Sequence, residues 1–210
     1  MKNKFIYQFK ITLLDTQPPI WRRIQVRADI SLLRFSTTII LAMGWNGKHL
    51  HQFHNGGRRY GMPTGDTESD RGIIDERKVA LQDFSKDDLK SFKFEYDFGD
   101  GWVHSVELEE VFEAKKGERF PKCVDGARHC PPEDCGGPGG YEDFLTAIKD
   151  PNHPKHKSMT EWIRYKFNPE VFNLDLTNSD LRDAKRTEEY WWRYHLQGVL
   201  KQKTVSVLET

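Results

Sequence analysis

The chain has 210 residues, with 32 basic and 32 acidic side chains, so its formal net charge at pH 7 is zero. A chain of this length normally forms one domain, and the balanced charge disfavours a dedicated nucleic-acid binder, which gains affinity from a basic surface. Polar residues interrupt its most apolar stretch, around residues 32–43, so we predict no membrane span. Three cysteines and no secretory-type start predict reduced thiols in a cytoplasmic protein.

The first half of the chain predicts a hairpin, a helix and two short strands. Residues 5–14 alternate between apolar and polar side chains, and a Pro-Pro turn joins them to a second strand over residues 20–26. Residues 31–43 change to helical spacing, with an apolar stripe and a glycine stop at Gly44. Short strands are predicted at 49–53 and 58–60, followed by a polar loop over 62–72.

A second hairpin is predicted over residues 92–112. Its register follows from keeping the large apolar residues on one face. A three-residue loop, Gly99-Asp100-Gly101, would place Tyr96 opposite His104, whereas a two-residue turn would place Asp97 there and mix the two faces.

The rest of the chain predicts mainly helices. Residues 121–140 look irregular, short helices are predicted at 141–149 and 158–165, and residues 168–177 look extended. A long helix over residues 179–201 carries the aromatic cluster Tyr190–Tyr194. Such a cluster predicts burial on the chain's own domain or against a partner.

Three segments together resemble the plasmid pRiA4b ORF-3-like family. They are residues 11–53 with the run Pro-Pro-Ile-Trp-Arg-Arg, residues 96–104 with Tyr-Asp-Phe-Gly-Asp-Gly-Trp, and residues 130–141 with Cys-Pro-Pro-Glu-Asp-Cys-Gly-Gly. The resemblance implies an α+β fold, with an antiparallel sheet built from hairpins and packed with several helices. It implies a domain over residues 5–177 with a C-terminal helical extension at 178–210, and it implies no established activity.

Histidines and one aspartate form the first candidate site. His49 and His51 share one face of a predicted strand, and the second hairpin supplies His104 with Asp100 in its loop. Imidazoles with a carboxylate suit Zn, Mn or Fe, so these four residues are a candidate divalent-metal site. The alternative is that Asp100 belongs to the turn and that His104 is a hydrogen-bonded core residue.

Cysteines form the second candidate site. Cys123, Cys130 and Cys135 with His129 offer the ligands of a zinc site, although their spacing lacks the usual C-x₂-C knuckle. Buried thiols that pack in the core are the alternative. A cysteine nucleophile is a third interpretation, but nothing in the sequence places a base beside a thiol.

These observations leave three classes of function open. The first is a non-catalytic binding or interaction module, connected with mobile-element or nucleic-acid processes. The second is a metal-dependent enzyme, a hydrolase, that uses the His/Asp cluster, and the third is a zinc-stabilised structural domain. The aromatic cluster Tyr190–Tyr194 predicts binding to another protein or to a second copy of the chain.

Overall fold

The computed structural model describes residues 4–65 and 68–183. They form one eight-stranded sheet with helices packed against it. The strands are β1 Phe5–Leu13, β2 Ile20–Arg27, β3 His51–Asn55, β4 Arg58–Gly61, β5 Ile73–Asp75, β6 Ser91–Tyr96, β7 Trp102–Glu113 and β8 Lys122–Ala127. The helices are α1 Leu32–Met43, α2 Lys86–Lys90, α3 Gly137–Lys149, α4 His156–Ile163 and α5 Leu174–Arg182, with 3₁₀ turns at Glu76–Lys78 and Leu81–Asp83.

The sheet is mixed rather than purely antiparallel. Its strand order is β5-β4-β3-β6-β7-β1-β2-β8, and all neighbours are antiparallel except the edge pair β4 and β5. The α+β class is therefore confirmed, and the expectation of a wholly antiparallel sheet is wrong. The reason is β5, which follows the predicted loop of residues 62–72 and returns along β4 in the same direction.

Helix α1 lies where the sequence predicts it. Ser31 caps its first turn by accepting a hydrogen bond from the backbone N–H of Arg34, and Gly44 ends it with a φ of 104°. The predicted stripe is buried: Leu32, Phe35 and Ile39 are 0% exposed. Period-3.6 spacing thus identified the face that packs on the sheet.

The second hairpin has a different register from the predicted one. Tyr96 pairs with Trp102 and Phe94 pairs with His104, so the loop has five residues, 97–101. Tyr96 and His104 are therefore not opposite each other, although both face the core as predicted. The longer loop forms because Asp97 leaves the β6–β7 ladder and bonds through its N–H to the carbonyl of Leu50, at 2.9 Å.

Several predicted boundaries in the second half are wrong. Strand β8 lies within the segment expected to be irregular, because its residues pair with the edge strand β2. Helix α3 begins at Gly137 inside the glycine run, and α5 begins at Leu174 in a segment expected to be extended. The predicted helix beyond residue 183 lies outside the described residues.

Within the described ranges, no helix combines the length and the apolar composition that crossing a membrane requires.

His104 makes the core sensitive to acid. Its side chain is fully buried against Trp45 and Phe94, and its Nδ1 donates a hydrogen bond to the Phe94 carbonyl at 3.1 Å. Burial lowers the pKa of His104 to about 4, which outweighs the opposite effect of that hydrogen bond.

We expect the contribution of His104 to stability to fall as the pH decreases from about 6.5 to about 4. Between these pH values the imidazole of His104 is protonated in the unfolded chain and neutral in the folded protein. The free energy of unfolding therefore falls by about 1.4 kcal/mol per pH unit and by about 3 kcal/mol in total. Urea unfolding at several pH values measures this slope. A His104→Phe variant should lose it and a His54→Ala variant should keep it, while an unchanged slope in His104→Phe would contradict the assignment.

Candidate functional site at the ends of β3 and β6

Two polypeptide segments meet beside the sheet and build a cluster of titratable side chains. One is the loop 97–101 between β6 and β7, and the other is residues 130–136, which precede α3. The side chain of Asp100 accepts a hydrogen bond from the backbone N–H of Gly136 at 3.1 Å. An added Cβ at Gly137 would collide with the backbone oxygen of Asp100, so a residue without a side chain is required at this crossing.

His49 lies at the centre of this cluster, two residues before β3. Its Nδ1 is 3.5 Å from a carboxylate oxygen of Asp97, and its Nε2 is 3.2 Å from one of Asp134. The same Nε2 is 3.7 Å from Glu133. One imidazole therefore has a carboxylate on each side and a third close by.

The backbone holds both flanking aspartates in an unusual conformation. Asp97 has a φ of 57° and Asp134 a φ of 58°, in the left-handed region that side-chain-bearing residues rarely adopt. Asp97 also accepts hydrogen bonds from the N–H groups of Gly99 and Asp100, at 3.0 and 3.4 Å. These bonds fix one oxygen of Asp97 in its own loop, while the other oxygen faces His49.

Glu133 is fixed more firmly than its neighbours. It accepts hydrogen bonds from the backbone N–H of Asn46 at 2.8 Å and from the hydroxyl of Tyr96 at 3.1 Å. Burial raises the pKa of Glu133, although both hydrogen bonds work in the opposite direction. Trp45 supports this arrangement, because its ring stacks on Tyr96 and its N–H donates to the Pro131 carbonyl.

The cluster has the composition and spacing of a cation site. One ligand atom each from His49, Asp97 and Asp134 lie within 4.8 Å of one another, and this is the only such group of three or more within residues 4–65 and 68–183. Ligands of a tetrahedral zinc ion at about 2.1 Å lie about 3.4 Å apart. The two aspartates face different nitrogens of the His49 ring, so both carboxylates must turn toward one nitrogen to share an ion.

A cleft adjoins the cluster on the side of Asp134. Its volume is about 350 Å³, and Asp134 and Cys135 form one wall. The apolar side chains of Phe144, Met159 and Trp162 form the other, from α3 and α4. The side chain of Asp134 is 71% exposed, so the cluster is open to solvent at this point.

Of the four residues in the predicted histidine site, His49 alone belongs to this cluster. His51 is buried and pairs through Nε2 with Glu76 at 3.0 Å, and His104 is bonded to the Phe94 carbonyl. Asp100 links the two loops through Gly136.

The sequence analysis missed Asp97, Glu133 and Asp134 as partners of His49. The sequence patterns involve Asp97 only in the register of the second hairpin, and they place Glu133 and Asp134 in the irregular segment 121–140. The signal that could have identified all three is their place in two of the three segments that carry the family resemblance, each next to a glycine-rich turn.

The cysteine set is dispersed in the described part of the chain. Cys123 donates from its thiol to the Asp125 carbonyl at 3.3 Å, and the ring of His129 packs 4.6 Å from that of Phe167. Cys130 is fully buried, which raises the pKa of its thiol, and burial with nearby Asp100 raises the pKa of Cys135 to about 12. Neutral thiols are poor nucleophiles. The aromatic cluster Tyr190–Tyr194 lies outside the described residues.

Comparison with known proteins finds relatives of this chain. The profile of the family described as plasmid pRiA4b ORF-3-like protein matches residues 5–176. The uncharacterized protein y4hQ of Sinorhizobium fredii is 41% identical over 158 residues, which cover 75% of this chain and 80% of that protein. The crystal structure of MM3350, a protein of unknown function from Methanosarcina mazei Go1, is similar with a TM-score of 0.75 and 32% identity. That similarity covers 81% of this chain and 96% of the other.

Proposed function

Since this chain belongs to the plasmid pRiA4b ORF-3-like family, whose relatives have names that assign no reaction, we propose its function from the site itself. It binds a divalent cation on His49, Asp97 and Asp134 and acts as a metal-dependent hydrolase. The observation that carries this proposal is the convergence of these three ligand atoms within 4.8 Å.

The ligand set defines which cations fit. One imidazole nitrogen with carboxylate oxygens suits Zn, Mn or Fe. Three protein ligands leave coordination positions open, as in catalytic rather than structural zinc sites. When bound, such a cation polarises a substrate oxygen and lowers the pKa of a bound water.

The surrounding residues support catalysis rather than storage of the cation. Glu133 lies 3.7 Å from His49 Nε2 and is held by Asn46 and Tyr96, so it is placed to accept a proton from an attacking water. The cleft beside Asp134 gives a substrate access to the cluster, and its apolar wall favours a substrate with an apolar group.

Metal titration tests this function. Protein stripped with a chelator should bind one Zn²⁺ or Mn²⁺ per chain in isothermal calorimetry, and His49→Ala and Asp134→Asn should each weaken binding at least about tenfold, because each removes a ligand. His54→Ala is the matched control, since His54 also pairs with a carboxylate, Glu95, at 3.0 Å but lies outside the cluster. Glu133→Gln should keep the metal and lose hydrolysis of a panel of ester and amide substrates.

The other outcomes identify the competing classes of function. Metal binding that is lost only in Cys130→Ala or Cys135→Ala would favour the zinc-stabilised structural domain. Absence of metal binding by the unmodified protein would contradict the proposal and favour a non-catalytic binding module.

A further inference from the structure

A row of polar and basic side chains crosses the exposed face of the sheet, away from the candidate metal cluster. In the register of β4, β3, β6 and β7, Arg59 lies opposite His54, His54 opposite Lys93, and Lys93 opposite Ser105. The residues next to them in the same strands, such as Tyr60, Phe53 and Phe94, are buried in the core. Because side chains alternate along a strand, the row lies on the opposite face.

The side chains of Arg59 and Lys93 do not pair with a carboxylate in the described residues. Arg59 donates from Nη2 to the carbonyl of Arg71 at 2.6 Å, which is a neutral acceptor. The ammonium group of Lys93 has no hydrogen bond or ion pair in the part of the chain that the structure describes. Neighbouring strands lie about 4.8 Å apart, so the backbones of Arg59 and Lys93 are roughly 10 Å apart with His54 between them.

The nearby acids are already engaged with other members of the row. Glu95 lies 3.0 Å from Nε2 of His54, and Glu107 accepts a hydrogen bond from Ser105 at 2.9 Å. Arg59 and Lys93 remain as two cationic groups on either side of the His54–Glu95 pair.

The row lines a depression that can hold a ligand. Its volume is about 640 Å³, and Arg58, Ser91 and Leu14 also line it. The tight turn Gly56-Gly57 forms its end, with φ values of 55° and 74°. Guanidinium, ammonium and hydroxyl donors that converge on one concave surface are typical of sites for phosphoryl oxygens.

We infer that this depression binds a small ligand with a pyrophosphate group, which spans the distance between Arg59 and Lys93. Two linked phosphoryl groups carry more negative charge and more acceptor oxygens than a single phosphate, so both cations gain charge-assisted contacts at once. The hydroxyl of Ser91 offers a further donor to the same anion, whereas the hydroxyl of Ser105 already donates to Glu107. This site is separate from the proposed hydrolase site, and neither requires the other.

Calorimetric titration with inorganic pyrophosphate at low ionic strength tests the inference. The unmodified protein should bind one pyrophosphate, more tightly than orthophosphate, and its melting temperature should rise with pyrophosphate concentration. Lys93→Ala and Arg59→Ala should each reduce the affinity at least about tenfold, because each removes a charge-assisted contact. Lys90→Ala is the matched control, since Lys90 pairs with Asp87 on α2 and does not line the depression. It should change the affinity less than about twofold.

Three results would overturn the inference. They are no pyrophosphate binding by the unmodified protein, an equal loss of affinity in Lys90→Ala and Lys93→Ala, and binding of a single-stranded oligonucleotide without binding of pyrophosphate. Retention of binding by His49→Ala would show that the site is independent of the metal cluster, and loss of binding there would contradict that independence.

Discussion

Replacing Gly137 with alanine is expected to destabilise the protein by about 2–5 kcal/mol and to abolish metal binding. Gly137 has a φ of 70°, a conformation that costs a residue with a side chain about 1–2 kcal/mol. Its new Cβ would also collide with the backbone oxygen of Asp100, and relief of such overpacking typically costs about 1–3 kcal/mol. Because Asp100 belongs to the loop that carries Asp97, its displacement would move a proposed metal ligand.

Gly139→Ala is the matched control for this prediction. It lies in the same helix, two residues along, and an added Cβ there would meet no atom within 4 Å. Since alanine is the better helix former, we expect it to leave stability unchanged or to raise it by up to about 1 kcal/mol. Urea unfolding and Zn²⁺ titration of both variants give the two measurements. Equal stability of the two variants would show that the crossing of the loops tolerates a side chain.

Replacing Phe35 with alanine is expected to reduce the free energy of unfolding by about 3–5 kcal/mol. Phe35 is 0% exposed, and its ring contacts those of Phe9 and Phe53 at centroid distances of 5.2 and 5.8 Å. It therefore joins α1 to both the β1 and the β3 regions of the sheet, and its removal leaves a cavity between them. The free energy of unfolding of an ordinary domain is about 5–15 kcal/mol, so this loss would be a large part of it.

Phe98→Ala controls for the loss of a phenyl ring at a site with little burial. Phe98 is 50% exposed in the loop 97–101, so its removal should cost less than about 1 kcal/mol. Chemical denaturation of the two variants under the same conditions compares them directly. A cost below about 1 kcal/mol for Phe35→Ala would mean that α1 does not pack as the structure shows.

The elements that the sequence predicted well are those determined by local signals. Helix α1 has twelve residues with an apolar stripe, a serine cap directly before them and a glycine stop directly after them, and all three signals act over one helix length. The alternation in β1 and β2 likewise predicted one hairpin with one buried face. In these segments the local preferences and the tertiary structure agree.

The elements that it predicted poorly depend on contacts between distant residues. Strand β8 has few strand-forming residues, and it is ordered because it pairs with β2, about a hundred residues earlier. The β6–β7 hairpin has a five-residue loop because Asp97 bonds to Leu50 instead of continuing the ladder. Apolar alternation alone does not encode either contact, since it fixes a face and not a pairing partner.

The sequence by itself determined the family, the α+β class, the buried face of α1 and His49 as a candidate site residue near the sheet. Tertiary structure decided which of these residues meet. His49 joins Asp97 and Asp134 because the segment 130–136 crosses the loop 97–101 and Asp100 bonds to Gly136. His51, two residues along the chain, lies in the core beside Glu76 instead. The physical reason is that a site built from three separate segments depends on where their backbones cross, and spacing within one segment carries no information about that crossing.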